Sequence, residues 1–491
     1  MVVSRIAGVL TLVVSVPFVV AALGAEGYGV WESLLAIAGF ALVFQMAISG
    51  TVVWRISMMC GSQDDAEARR IVRLGLGSTA VLTALLLPPM WIWRTELLAL
   101  LHVPDRHAAG SGWLLPAIVG VALLGGLNET LSALLTGYQR AGLAALIHSV
   151  GVVSTHGSAV ALLMAGFGLK SLVYGYLVGL AARFAMLYPV ASSLCGRLTL
   201  LPLVPSRRDL RILGPFAGLL LISGLSGLVR DQTDKIVLAS LATPLATAHF
   251  GMAQRLASVV MQTFIVVRVP FGAAIGVLFA REDWDGIRSM YETVGSWIAV
   301  LAGLAGFLVW SLRSPLLTLW LGRDYPQVHV YLALQLFGVV SAVLFSGVAT
   351  ALAKGVGRPG LETTYATFTL LLTLLAKPLF IAWLGAVGSV ASSAAAWAPG
   401  AFLLLVLTHR QLVLGKRLIL RHLVAYVFTI GACLLSWLVT DSIEFPPNRL
   451  RALLVVGGVG PFLAAGYLLA LGLLRLTPPL DWPGSRPDDA R

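Results

Sequence analysis

Charge is what this sequence has least of. Only 11% of its 491 residues are Asp, Glu, Lys or Arg, against about a quarter in an ordinary soluble domain. A soluble chain of this length could not cover its surface so sparsely, and that class is excluded. Cysteine is nearly missing too. Cys60, Cys195 and Cys433 are scattered, with no paired spacing and no histidine cluster beside them, so neither a disulfide framework nor a metal site is expected. No stretch between apolar runs exceeds about 25 residues, which leaves no room for a soluble catalytic domain. A nucleotide-binding loop is missing as well: Leu169 stands before Lys170-Ser171, where the phosphate-binding motif requires glycine. No cofactor and no direct use of ATP are expected, which leaves an ion gradient or substrate supply as the energy source.

What fills the sequence instead is apolar. Hydrophobic residues make up 58% of it, and the mean hydropathy is +0.90. A hydrocarbon core about 30 Å thick needs about 20 apolar residues per helix, and only helices or closed barrels satisfy their own backbone in lipid. Runs of that length are read at 6–23, 29–48, 74–93, 113–135, 143–166, 171–194, 212–229, 246–277, 291–312, 328–352, 364–384, 386–408, 422–440 and 453–474. The expected fold is an all-α polytopic membrane protein of about fourteen spans in the lipid bilayer. The first run, following Arg5 and preceding Ala25, mimics a signal peptide, but the repeat described next uses it as its first helix.

The net charge of +12 would point to nucleic acid in a soluble protein. Here the clusters Arg69-Arg70-Arg73, Arg207-Arg208-Arg211 and Lys416-Arg417-Arg421 are read as cytoplasmic loops 64–73, 207–211 and 416–421 under the positive-inside rule. Both termini then lie in the cytoplasm, and no nucleic-acid partner is expected. The eleven residues from Ala133 to Leu143 match those from Ala351 to Leu361 at six positions, at a constant offset of 218. Each segment is a glycine-flanked arginine turn after an apolar run. Tyr28-Gly29 and Phe250-Gly251 open equivalent spans. An offset of six spans is even, so the halves are parallel repeats of the kind transporters use. The expected lobes are 1–205 and 206–410, followed by a helix pair at 411–475 and a short tail at 476–491.

Four motifs carry a resemblance: Leu23-Gly24-Ala25-Glu26-Gly27-Tyr28-Gly29-Val30-Trp31, Asp234-Lys235-Ile236-Val237-Leu238, Leu319-Trp320-Leu321-Gly322-Arg323-Asp324-Tyr325, and Gly355-Val356-Gly357-Arg358-Pro359-Gly360. In order and placement the chain resembles the polysaccharide exporters and lipid-linked oligosaccharide flippases of the multidrug/oligosaccharidyl-lipid/polysaccharide exporter superfamily, over about residues 1–410. The resemblance implies a flippase rather than an enzyme. Such a protein moves a polyprenyl-diphosphate-linked glycan from the inner to the outer leaflet by alternating access, for O-antigen or exopolysaccharide export. It further implies a bacterial inner membrane and polysaccharide polymerase or assembly proteins as partners.

Ionisable groups inside spans are costly unless paired or facing water, which makes them functional candidates. Arg183, Arg255, Arg268 and Lys377 are the deep cations. On span eight Gln254, Arg255, Ser258, Gln262 and Arg268 share one arc of about 140°, with Pro270 free to bend the helix. Arginine meets phosphate oxygens with two parallel bonds, so Arg255, Arg268, Gln262, Arg183 and Lys377 are candidates for holding a diphosphate. Snorkelling or structural pairing is the alternative for Arg255 and Arg268. Glu129 is the clearest deep anion, either an ion-coupling carboxylate or an interfacial residue; Asp234 is a second coupling candidate. Spacings of i,i+4 pair Asp231 with Lys235 and Arg230 with Asp234, which reads as a bridged helix end. His148 and His156 read as core histidines, and Trp91, Trp93 and Trp113 as interfacial anchors. Two other functions fit less well. One is an ion-coupled small-molecule exporter of the multidrug-extrusion or major-facilitator type; the latter's Gly-Asp-Arg loop is missing, since Gly61-Ser62-Gln63-Asp64-Asp65 stands there. A glycan polymerase or ligase lacks a long outer loop.

Overall fold

The computed structural model describes residues 2–59, 65–104, 112–196, 198–358, 360–412, 417–440 and 448–473. Every regular element among them is helical. They are α1 (Val2–Met58), α2 (Asp65–Ile92), α3 (Arg94–Leu100), α4 (Leu114–Gly137), α5 (Ala141–Met164), α6 (Lys170–Cys195), α7 (Arg207–Leu241) and α8 (Pro244–Ala280). Then follow α9 (Trp284–Ser311), α10 (Arg313–Leu321), α11 (Pro326–Gly355), α12 (Gly360–Leu384), α13 (Val387–Gln411), α14 (Arg417–Thr440) and α15 (Arg449–Leu473). The chain divides into two compact units, Met1–Ala248 and His249–Arg491. Among the described residues twelve helices are long and apolar enough to cross a membrane. One of them, α1, supplies two crossings: Gly24 (φ 73°, ψ 167°) is non-helical inside it, a conformation open to glycine. α8, at 37 residues, is long enough to be the fourteenth. The protein is a multi-pass helical membrane protein.

The basic segments read as loops are helix beginnings instead. α2 starts at Asp65, α7 at Arg207 and α14 at Arg417. The reason is local: a helix leaving hydrocarbon need not stop where polarity starts, and a cap favours its continuation. Ser206 accepts from the Asp209 backbone N–H, and the Asp209 carboxylate accepts from the Ser206 N–H at 3.0 Å, a reciprocal capping box. The short helices α3 and α10 were not foreseen either.

In the first unit, α2, α4, α5, α6 and the second half of α1 enclose a core around Ile56, Val72, Leu131, Leu135, Ile147 and Leu187. The segment joining α6 to α7 is strapped to α2. Arg69 donates to the Cys195 carbonyl at 2.5 Å, Arg73 to that of Leu201 at 3.0 Å, and Leu203 N–H to that of Arg73 at 2.9 Å. In the second unit α11 is the central helix, buried along nearly its whole length. The α14–α15 pair is fastened to α9 and α10 by polar contacts: Trp310 Nε1 to the Cys433 carbonyl at 2.9 Å, Arg313 to Thr440 at 2.9 Å and Ser436 to Ser311 at 2.7 Å.

The repeat is visible in backbone geometry. After α4, Arg140 N–H bonds to the Leu135 carbonyl at 2.8 Å and Gln139 N–H to that of Thr136 at 3.0 Å. After α11, Arg358 bonds to Ala353 at 2.8 Å and Gly357 to Lys354 at 3.1 Å. Both are Schellman closures, with left-handed residues Gln139 (φ 62°) and Gly357 (φ 72°) at the same place. A second repeat lies on the short helices. Arg94 sits 5.0 Å from the Trp91 ring and donates to the Trp91 carbonyl at 2.7 Å. Arg313 sits 4.5 Å from Trp310 and donates to its carbonyl at 3.2 Å. Both contacts are cation–π pairs, 219 positions apart in sequence.

Candidate functional site

A polar cavity of about 240 Å³ lies inside the first unit, lined from α1, α4, α5 and α6. Close packing of α5 on α6 creates it. Gly175 and Gly179 meet Thr155 and Ala159 so tightly that no side chain fits between them, the small-residue packing that lets helices approach in lipid. One turn deeper, Gly151 leaves the space that the Arg183 methylenes occupy: a Cβ there would stand 2.1 Å from Arg183 Cγ. Arg183 is thus laid across α5 and reaches Glu129 of α4, with Nη2 2.9 Å from Oε1. The arginine side chain is 13% exposed and the carboxylate 40%, so the pair is buried on its cationic side and open to the cavity on the other.

The remaining walls mix apolar side chains, among them Leu42, Ile118 and Leu180, with a few polar ones. Gln45 gives both amide hydrogens to the carbonyls of Ala122 and Leu123, at 2.7 and 2.9 Å. Its Oε1 and the Arg183 Nε are buried and have no hydrogen-bond partner. His148, Thr155, His156 and Tyr176 line the same space, and His156 Nδ1 lies 3.1 Å from Ser15 Oγ. His148 is exposed and His156 half-buried, so neither is a core histidine; the helix faces read as core border a cavity. At about 30 Å³ per water, the space holds on the order of eight waters.

The other candidates are distributed differently. Arg255, half-buried, and Lys377, 6% exposed, belong to the second unit. The side chains of Gln262, Arg268 and Pro270 lie outside the described residues. Asp234 is completely buried on α7. Its neighbour Lys235 has its carboxylate on another helix, where Glu32 Oε2 of α1 stands at 2.6 Å; the side chains of Arg230 and Asp231 lie outside the described residues. Tyr28 donates to the other Glu32 oxygen at 2.7 Å. Exposures of 6% and 1% make this a deeply buried ion pair. Sequence reasoning passed over Glu32, although it is the one acid within 29–48, and over Gln45 in the same run.

No protein-family profile matches the chain, and no curated protein matches it. Solved structures do. An inward-facing multidrug resistance MATE family transporter of the MOP superfamily matches with a TM-score of 0.69 at 15% identity, over 83% of this chain and 94% of that one. The lipid II flippase MurJ in an inward closed conformation matches with 0.68 at 12% identity, over 96% and 98%. A MOP superfamily transporter from Pyrococcus furiosus, described as having a binding pocket of reverse polarity, matches with 0.51 at 15% identity over 82% and 95%. The fold is the one these transporters and this flippase share, in agreement with the superfamily read from the sequence motifs.

Proposed function

We propose that this chain is a flippase that carries a polyprenyl-diphosphate-linked glycan from the inner to the outer leaflet by alternating access, for cell-surface polysaccharide synthesis. The observation that carries this reading is the α14–α15 pair. The MATE match takes in 94% of its own chain yet leaves about 80 residues of this one, the size of everything after Gln411. The flippase match leaves about 20. The first helix of this pair, α14, forms an apolar groove of about 180 Å³ with α9 and α11, lined by Gly306, Trp310, Phe337, Tyr426 and Trp437 among others. A substrate with a long isoprenoid tail needs an apolar track while its charged head crosses, and a small soluble cargo does not.

In this reading Arg183, Arg255, Arg268, Gln262 and Lys377 are the candidates for meeting the diphosphate, through charge-assisted bonds. Glu129, and secondarily Asp234, is the candidate for ion coupling. Protonation of Glu129 from the cavity frees the Arg183 guanidinium, which ties an ion gradient to a cation able to meet phosphate. The membrane is a bacterial inner membrane with both termini in the cytoplasm, and a polysaccharide polymerase acts on the delivered glycan. The MATE likeness, equal in TM-score, supports a second reading as an ion-coupled small-molecule exporter. Depleting the chain and extracting lipids separates the two. Accumulation of lipid-linked repeat units, with loss of polymer, is expected of the flippase. Unchanged glycan lipids with raised sensitivity to toxic cations would overturn it.

A further inference from the structure

A cavity larger than the polar one lies elsewhere in the first unit. It is an apolar groove of about 720 Å³ between α2 and α4. From Leu76 to Ile92 its wall is every third and fourth residue of α2, one face of a helix, about 24 Å long at 1.5 Å per residue. Leu124 and Leu127 of α4 face it. Ala80 and Ala84, both exposed, leave the gap by being small. One end is closed by Leu200 and Pro202 of the segment joining α6 to α7; the other reaches Trp91, 54% exposed.

The Leu200–Pro202 end is positively charged without compensation. Arg73 binds the Leu201 carbonyl through Nε, and its two terminal nitrogens have no protein partner among the described residues. Arg207, Arg208 and Arg211, all exposed, follow within nine residues of Pro202, and no described carboxylate pairs with them. The acids nearby are already engaged: Asp209 with Arg70 at 2.5 Å and Glu67 with Arg70 at 3.2 Å. Between these cations the backbone exposes Leu201 (67%) and Val204 (69%), side chains that belong against lipid. An apolar groove that opens at one end on unpaired arginines fits a molecule with an apolar chain and a phosphate head.

We infer that the α2–α4 groove is a binding site for an anionic glycerophospholipid, its acyl chain along α2 and its phosphate on Arg73, Arg207 and Arg208. Size supports this occupant. At roughly 30 Å³ per water-sized group, the groove takes about two dozen methylenes, a long acyl chain with part of its neighbour and less than a polyprenyl carrier. A helix 10 Å across and 24 Å long would need about 1,900 Å³. The site is separate from the Glu129–Arg183 cavity and does not depend on the cargo proposed above.

Native mass spectrometry of the full-length protein in detergent, titrated with phosphatidylglycerol or phosphatidylethanolamine, tests it. One phosphatidylglycerol should be retained with at least about 10-fold preference. Arg207→Ala with Arg208→Ala, which break no bond within the protein, should lower its affinity by about 10-fold or more. Ala84→Trp, which fills the groove, should abolish retention, whereas Val153→Trp, on an exposed face of α5, should not. Equal retention of the two lipids, indifference to Ala84→Trp, or co-purification of a polyprenyl phosphate that Ala84→Trp displaces would each overturn the assignment.

Discussion

Glu32→Met is the most informative single perturbation of the first unit. It removes the carboxylate that holds Lys235 Nζ at 2.6 Å and accepts from Tyr28 at 2.7 Å, at a site where the two charged side chains are 1% and 6% exposed. Breaking a buried pair from one side leaves the other charge without compensation, at a cost of about 3–5 kcal/mol. Loss of the Tyr28 hydrogen bond to Glu32 adds about 1 kcal/mol. Together these weaken the contact between α1 and α7 by roughly 10³- to 10⁴-fold in equilibrium terms. Lys235→Met alone should cost a similar amount, because the buried Glu32 carboxylate then loses the Lys235 ammonium that faces it.

Removing both charges is different. Burying two apolar side chains of similar volume in place of an ion pair is often neutral, so Glu32→Met with Lys235→Met should sit close to the native protein. Hydrogen–deuterium exchange on α7 peptides and thermal unfolding in detergent read all four members of the cycle. The expected coupling is about 2 kcal/mol or more, with faster exchange in both single variants and recovery in the double. Single variants that behave like the native protein, or a double variant equal to the sum of its singles, would refute the argument that this pair fastens the two helices.

Three further outcomes follow from particular contacts. Gly151→Ala should reproduce Arg183→Ala in an assay of lipid-linked glycan accumulation at normal abundance, because the added Cβ would stand 2.1 Å from Arg183 Cγ; Gly157→Ala, with open space at its Cβ, should be silent. Gln139→Gly should stabilise the α4–α5 turn by about 1 kcal/mol, and Gly357→Gln should destabilise its counterpart by a similar amount, both measured by thermal shift, since each residue is left-handed and a side chain is strained there. At Asp324 burial pushes the carboxyl up, but bonds from His329, Ser314 and the Tyr325 N–H outweigh it and hold the group below its ordinary value. Its stabilising contribution is therefore present above the ordinary carboxylate range and lost as pH falls through the depressed value; Asp324→Asn should remove that acid limb from a pH series of unfolding temperatures.

Spans and the turn repeat were legible because both are local. A run of about 20 apolar residues and a glycine-flanked arginine carry their own explanation. The short helices were missed because α3 and α10 are too short to show as apolar runs. Yet Trp91, Arg94, Leu97, Leu98 and Leu100 recur as Trp310, Arg313, Leu316, Leu317 and Leu319 at an offset of 219, a signal that a search beyond the turns would have met. Basic clusters read as loops are helix ends, because a positive charge marks distance from the hydrocarbon and not the end of backbone hydrogen bonding. Glu32 was visible as a lone acid, but its partner lies 203 positions away. No spacing rule reaches that far; only the packing of α1 on α7 makes the pair.

The repeat also makes the polar cavity more than a chance void, because the second unit carries the same positions with different contents. At offsets of 217 to 219, Gln45, Glu129, Gly151 and Arg183 correspond to Phe264, Gly347, Thr369 and Gly400. In the second unit Phe264 is 7% exposed, and a Cβ on Gly347 would meet its ring at 2.6 Å. The aromatic ring occupies the space where the first unit keeps a glutamine and a carboxylate. The contact between the paired helices is preserved and inverted. Gly151 accommodates Arg183 in one unit, while Gly400 accommodates Thr369 in the other, where a Cβ would stand 2.1 Å from the threonine hydroxyl. At these positions an aromatic ring fills the space in one copy, and a glutamine and an ion pair stand in the other. Dry packing is the default that stability favours, so the charged copy is the one that calls for a functional explanation, and it is where the coupling carboxylate is proposed.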